Sequence, residues 1–295
     1  MTTTPTTTST ATPSLLGTVH SVPLRIRRRG LLFWLAATTL GVVTLGAVLA
    51  PLIAPYDPAL TDFDSILAGP GAEHLLGTDQ LGRDLLSRLL HGARTSLLAA
   101  LAVLAIATLI GPLLGVLAAW TGGWVDAVFA RATDALIAFP GLLFAVLTIA
   151  VLGTGTSAVV LALGLAYFPA VAKITRSAAV AECQKAYIDA YRVQGMSGLA
   201  ICTTRLLPRV MPVVLGYVIV LFGDVLMGLA SLSYLGFGAQ PPASDWGLMV
   251  SEGQFAMLEN ALLPALAPGV AIALTVVAFN IIGVDVADRL GKVDR

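Results

Sequence analysis

Long uncharged apolar runs alternate with shorter polar segments along this chain, and the run lengths predict helices that cross a membrane. A bilayer core of about 30 Å takes about 20 apolar residues in a helix. Residues 30–56, 95–120 and 261–284 reach that length without a charge. Residues 210–237 carry a single charge, Asp224. Residues 135–172 are uncharged throughout, too long for one ordinary span, with Gly153-Thr154-Gly155-Thr156 near the middle. Two helices joined by a Gly-rich turn are the simplest division. Pro140 and Pro169 fall inside these two helices. Each is expected to kink its helix, because proline removes a backbone donor. The pattern predicts an all-α integral membrane protein with six transmembrane helices.

The polar segments set the expected orientation. Residues 1–18 are rich in Thr, Ser and Pro, lack apolar periodicity and read as a disordered tail. Arg25, Arg27, Arg28 and Arg29 precede the first span and hold its start in the cytoplasm. That span is longer than the roughly 7–15 apolar residues of a cleaved leader, so it reads as an uncleaved anchor. Residues 57–94 then lie outside. Within them Gly77-Thr78-Asp79 reads as a turn, with Thr78 or Asp79 as the cap of the helix that follows. Leu81, Leu85, Leu86, Leu89 and Leu90 recur at helical spacing and predict an amphipathic helix leading into the second span. The mix of Asp79, Arg83, Asp84 and Arg88 is compatible with acid–base chemistry, but a capped, salt-bridged surface helix is the simpler reading.

Residues 173–209 form a polar stretch on the cytoplasmic side. Tyr187, Ile188, Ala190 and Tyr191 give a short helix an apolar, aromatic patch. Gly195 suits a C-terminal stop, and Pro208 marks the start of the next span. With this topology the cytoplasmic side holds 14 of the 17 Lys and Arg, and only Arg83, Arg88 and Arg94 lie outside. Six spans with both ends inside therefore satisfy the positive-inside rule.

Composition agrees. Of the 295 residues 57% are hydrophobic and 12% charged, against about 25% charged in soluble domains. Net charge is zero and gives no support for a nucleic-acid partner. Cys183 and Cys202 are the only cysteines, both in the cytoplasmic stretch, so no disulfide is expected. His20, His74 and His91 are scattered, without the spacing of a metal site. No phosphate-binding GxxxxGK[ST] loop, HExxH or GxSxG elbow occurs. If ATP drives this protein, hydrolysis belongs to another chain. Asp134 is expected near the cytoplasmic end of the third span, paired with Arg131. Asp224 sits deeper, where a charge costs at least about 2.5–3.5 kcal/mol, so a polar cavity or a subunit contact is expected there. Asn280, in the last span, is a candidate to bond a neighbouring helix.

Several motifs in order resemble a known family. They are LAPLIAPYDP at residues 49–58, HLLGTDQLGRDLLSRLLHGAR at 74–94, DALIAFP at 134–140 and SLSYLGFGAQPPASDWG at 231–247. In the central stretch, Asp189-Ala190-Tyr191 followed by Gly195 and then Leu207-Pro208 resembles the EAA loop of ABC importer permeases. Over residues 27–288 the chain resembles the C-type permease of the oligopeptide, dipeptide and nickel importers.

The resemblance implies a type I importer permease domain of five spans at residues 95–290, with its ATPase-coupling loop at 173–209. One extra span and an outer segment at 30–94 would precede it, with tails at 1–29 and 291–295. It implies a homologous B-type permease, two ATPase subunits that carry ATP and Mg, and an extracytoplasmic binding protein, assembled in a bacterial plasma membrane. This chain would hold no cofactor. Asp189, Ala190, Tyr191, Gly195, Leu207 and Pro208 would belong to the docking loop. Gly77, Thr78, Asp79, Gly82, Arg83 and Asp84 would belong to the outer motif. The chain departs from the pattern in Asp189 for Glu, Tyr191 for the second Ala, Arg205 for an aliphatic residue, and Leu229 where relatives often carry Glu. Short peptides are the leading substrate, with nickel or another metal chelate as the alternative. A secondary transporter working alone would need Asp224 at a midplane site and an internal repeat, and no repeat is evident.

Overall fold

The computed structural model describes residues 30–293, and its regular elements are helices. The N-terminal tail with Arg25, Arg27, Arg28 and Arg29, and the last two residues, lie outside the described residues.

α1 (Leu31–Ile53) has 23 residues, about 35 Å at 1.5 Å per residue, enough to cross a bilayer. Its buried residues are Ala36, Ala47 and Ala50, while Leu32, Leu35, Val42 and Leu45 are exposed. A helix this apolar and this exposed is solvated by lipid tails, with every backbone group bonded internally. α2 (Leu85–Thr121) runs unbroken for 37 residues, about 55 Å, and so extends well beyond a bilayer core. The expected amphipathic helix and the second span are therefore one element. Leu81 lies outside it, and its N-cap is Asp84, not Thr78 or Asp79.

Gly122 and Gly123 turn the chain into α3 (Gly123–Ala138), followed by α4 (Gly141–Leu152). These two are bent by 91° at Phe139-Pro140. The expectation was a kink inside a continuous helix, but Pro140 breaks the span instead. A residue before proline is driven into the extended region, and Phe139 sits there at φ −81° and ψ 132°. The Gly-rich turn lies where expected, and its Gly155 N–H donates to Phe237 O at 2.9 Å. α5 (Thr156–Cys183) contains Pro169, buried within the helix. Short α6 (Ala186–Val193) and α7 (Gly198–Ile201) precede a π-helical turn, Cys202–Leu206, and then α8 (Leu207–Tyr234). The helical column of the fifth span thus begins at Gly198, earlier than residue 210. α9 (Trp246–Leu258) and α10 (Leu263–Val293) complete the chain. Among the described residues five helices are long and apolar enough to cross, or six with the bent α3–α4 pair counted as one span.

The most extensive helix contact is between α2 and α5. Lipid tails are as apolar as leucine, so helices in a bilayer associate through close backbone approach and dispersion. Gly111 and Gly115, spaced GxxxG, supply that approach. A Cβ on Gly115 would lie 2.6 Å from Ala172 O and 2.9 Å from Thr175 Cβ. α8 meets α10 in a similar way, with Gly283 against Val220 and the Phe222 and Phe279 rings stacked at 3.6 Å. The core between these pairs is filled by Val103, Val159, Leu163, Val225, Leu226 and Leu229.

Gly115→Leu is expected to destabilise the protein by about 1–3 kcal/mol or more, the typical result of overpacking, because the clash is with backbone. Gly41→Leu, whose new Cβ meets nothing within 4 Å, is expected to be silent. Thermal unfolding in detergent of the two variants side by side checks both outcomes.

Candidate functional site

Two clusters of the residues singled out above lie at opposite ends of α2. The first is the α6 tip, near the end of α2 marked by Trp120. α5 continues to Cys183, so Lys173 and Arg176 belong to a helix and not to a loop. Lys173 pairs with Asp134 at 2.7 Å, so the expected Asp134–Arg131 pair is replaced by one between α3 and α5. Arg176 grips Asp126 with two nitrogens, through Nη2 at 2.6 Å and through Nε.

α6 forms over eight residues with Asp189 in its first turn and Arg192 in its last, both placed to favour the helix dipole. The two side chains also pair with each other at 3.2 Å. Gly195 ends the helix at φ +78°. Its N–H donates to Arg192 O at 3.0 Å and the Met196 N–H to Tyr191 O at 3.1 Å, the paired bonds of a Schellman stop. Ile188 is fully buried and plugs α6 to the bundle, while Asp189, Ala190, Val193 and Gly195 are exposed on the tip. The Tyr187 hydroxyl donates to Glu182 at 2.6 Å. Burial, reinforced by that carboxylate, raises the Tyr187 hydroxyl well above the usual phenol range. Beyond α6, Ser197 caps α7, and Pro208 occupies the first turn of α8, where its missing N–H costs nothing. Leu207 packs on a small cluster of Val116, Ala179, Cys202, Leu206 and Val210.

Three arginines lie over three rings at this end. Arg192 is 4.5 Å from the Trp120 ring centroid, Arg205 is 4.8 Å from Tyr191 and Arg209 is 5.5 Å from Tyr187.

The second cluster corrects the expected surface helix. Asp79, Arg83, Asp84 and Arg88 are all buried. Asp79 Oδ2 accepts from Arg83 Nε at 2.7 Å and from Arg88 Nη1. Both arginines then reach across to α9, where Glu252 Oε2 accepts from Arg83 at 2.9 Å and from Arg88 at 2.7 Å. Two carboxylates and two guanidinium groups close into a neutral quartet, which is why so much charge tolerates burial. Asp84 takes a different role. It caps α2 by accepting from Ser87 N at 2.8 Å and holds His74 Nδ1 at 2.9 Å. Thr78 accepts from Ala68 N at 2.8 Å and donates to Ser65 O. Gly77 and Gly82 have φ +80° and +71°, and Gly82 rests against the Asp62 backbone where no side chain fits. Sequence reasoning missed Glu252. It also missed Ser96, whose hydroxyl donates to Asp245 at 2.8 Å and accepts from Trp246 N at 3.1 Å. The Trp246 ring N–H donates to Leu89 O at 3.0 Å. No local signal in the sequence points to these partners.

Asp224 is exposed on α8, and its carboxylate has no bonding partner among the described residues. Its backbone carbonyl accepts from Tyr167 at 3.0 Å. Asn280 bonds its own helix at Val276 O, 3.1 Å away, and not a neighbour as expected. It packs on Gly223 of α8, where a Cβ would come within 2.9 Å of its Nδ2.

Residues 111–292 match the family described as binding-protein-dependent transport system inner membrane component. The chain belongs to this family. It is a transport permease of the ABC importer class, integral to the membrane. A putative peptide transport system permease protein of Brucella suis biovar 1 (strain 1330) is 38% identical over 265 residues, covering 90% of this chain and 88% of that protein. The di/tripeptide transport system permease protein DppC of Pseudomonas aeruginosa (strain UCBPP-PA14) is 37% identical over 88% of this chain and 86% of its own. The glutathione transport system permease protein GsiD of Escherichia coli O6:K15:H31 (strain 536 / UPEC) is 37% identical over 92% and 89%. Among solved structures, a chain of the inward-facing MetNI methionine ABC transporter superposes with a TM-score of 0.56 at 18% identity. It covers 69% of this chain and 96% of its own, which establishes the permease fold.

In this permease Arg88→Leu leaves Asp79 and Glu252 short of one counter-charge. Breaking a buried pair typically costs about 3–5 kcal/mol. We expect a loss of that order in thermal unfolding. Removing the exposed Arg192 is expected to change stability by less than about 1 kcal/mol.

Proposed function

We propose that this permease forms one half of the pathway of an ATP-driven importer for short peptides, with the α6 tip as the surface on which an ATPase subunit docks. The observation that carries the reading is the tip itself. An exposed, rigidly stopped helix projects between two spans, rooted by Ile188, with the small residues Ala190 and Gly195 open to another protein. Arg192, Arg205 and Arg209 crowd the same end, which supports a cytoplasmic location for it. The quartet end then faces outward, where a binding protein would deliver substrate, and both termini fall on the cytoplasmic side of a bacterial plasma membrane. The names of the relatives support peptides as the cargo.

Function in this reading follows from differential binding. A second, homologous permease completes the pathway, and two ATPase subunits hold ATP and Mg below. ATP binding draws the ATPases together and carries the docked tips with them. The spans rooted on those tips separate at the outer face and release the binding protein's cargo into the pathway. Hydrolysis returns the pathway to the inward-open form.

Isolation of the chain from its native membrane in mild detergent tests the assembly. A second six-span permease and two ATPases carrying phosphate-binding loops are expected to co-purify. Recovery of the chain alone, transporting without ATP, overturns the reading. Gly195→Trp, with nothing within 4 Å of its Cβ position, is expected to leave membrane insertion intact. It is also expected to abolish stimulation of ATP hydrolysis by substrate-loaded binding protein, measured as phosphate release.

A further inference from the structure

We propose that Tyr191 and Arg205 are a positioning pair that makes the α6 tip and the start of α8 move as one body. The proposal rests on the reading of α6 as the ATPase-docking helix and adds how displacement of that helix reaches the span.

Between α6 and α8 the chain passes a connecting loop, the single turn α7 and the π turn Cys202–Leu206. A π turn interrupts the regular i→i−4 ladder and is a common site of helix kinks. A push on α6 sent along the backbone alone would be absorbed there. The side chains bridge the weak segment. Arg205 projects from the π turn onto the Tyr191 ring at 4.8 Å, and Arg209, in the first turn of α8, reaches the Tyr187 ring at 5.5 Å. Tyr187 and Tyr191 lie edge to face, 6.1 Å apart at 84°. The two rings and two guanidinium groups form one continuous row across the gap.

Tyr191 and Arg205 are the members of this row that do not face Glu182, which interacts with both Tyr187 and Arg209. Tyr187 already bonds Glu182, whereas Arg205 has no carboxylate partner among the described residues. Asp189, the nearest acid on α6, is taken by Arg192. A guanidinium without a carboxylate, held over a ring that faces it, is set for a cation–π contact. Both residues also stand at positions where the sequence departs from the docking-loop pattern it resembles, and the structure brings the two departures together.

A stack of this kind at an exposed site shifts an equilibrium about two- to fivefold. The test uses the complete transporter, reconstituted in liposomes with its co-purified subunits and binding protein, and tryptone as a peptide mixture. Tyr191→Ala and Arg205→Ala are each expected to lower the ratio of binding-protein-stimulated to basal ATP hydrolysis about two- to fivefold. The double variant is expected to lose no more than either single one, and Tyr191→Phe, which keeps the ring, to behave as wild type. Additive losses in the double variant overturn the pair. So does a Tyr191→Phe variant as impaired as Tyr191→Ala, because the hydroxyl would then be the active group. If Gly195→Trp uncouples while both alanine variants remain coupled, the docking helix stands and the pair falls. If the wild-type complex shows no stimulation, the importer reading fails, and the pair with it.

Discussion

Backbone meets backbone where α2 crosses α5, and most of the molecule is placed by that contact. Gly111 and Gly115 remove the side chains that would hold the helices apart. In lipid no hydrophobic gain is left to drive such a pair together, so closeness itself supplies the dispersion energy. With α5 fixed against α2, the rest follows in short steps. Lys173 and Arg176 of α5 tie down α3 through Asp134 and Asp126. The end of α5 then delivers α6 beside Trp120, the last aromatic of α2. α8 and α10 close the other side through contacts of the same small-residue kind.

α2 thereby acts as a strut between two sites of different chemistry. At one end Arg88 sits in a neutral, largely buried quartet with three other charges. At the other, Trp120 lies under an exposed guanidinium in contact with water. Charge at the first end is satisfied once and locked by burial. Charge at the second lies over aromatic rings and stays exposed. One unbroken helix thus joins an end where charge is buried to an end where charge is exposed.

Much of this was legible in the sequence because it depends on near neighbours. The spans follow from run length, the turn at Gly153–Gly155 from its glycines, and the stop at Gly195 from the single residue type that accepts φ +78°. What could not be read depends on residues far apart in sequence. Asp79 and Arg88 look like a surface pair until Glu252 arrives from α9 to complete the quartet. The N-cap was misplaced for a related reason. Thr78 and Asp79 are good capping residues whose oxygens are taken by Ser65, Ala68, Arg83 and Arg88, which leaves Asp84 to cap. Pro140 was recognised as a perturbation, but a single sequence does not distinguish a kink from a 91° break. The Asn280 amide turned inward on its own helix because Gly223 packs directly against it and presents no polar group.

Glu252 reaches its arginines across 164 and 169 positions of sequence. The segment that carries Asp79, Arg83 and Arg88 therefore holds two guanidinium groups and one carboxylate of the quartet, and the second carboxylate lies four membrane-length helical segments further along the chain. Without Glu252 of α9 the two guanidinium groups would share one carboxylate, and the cluster would carry an unneutralised positive charge.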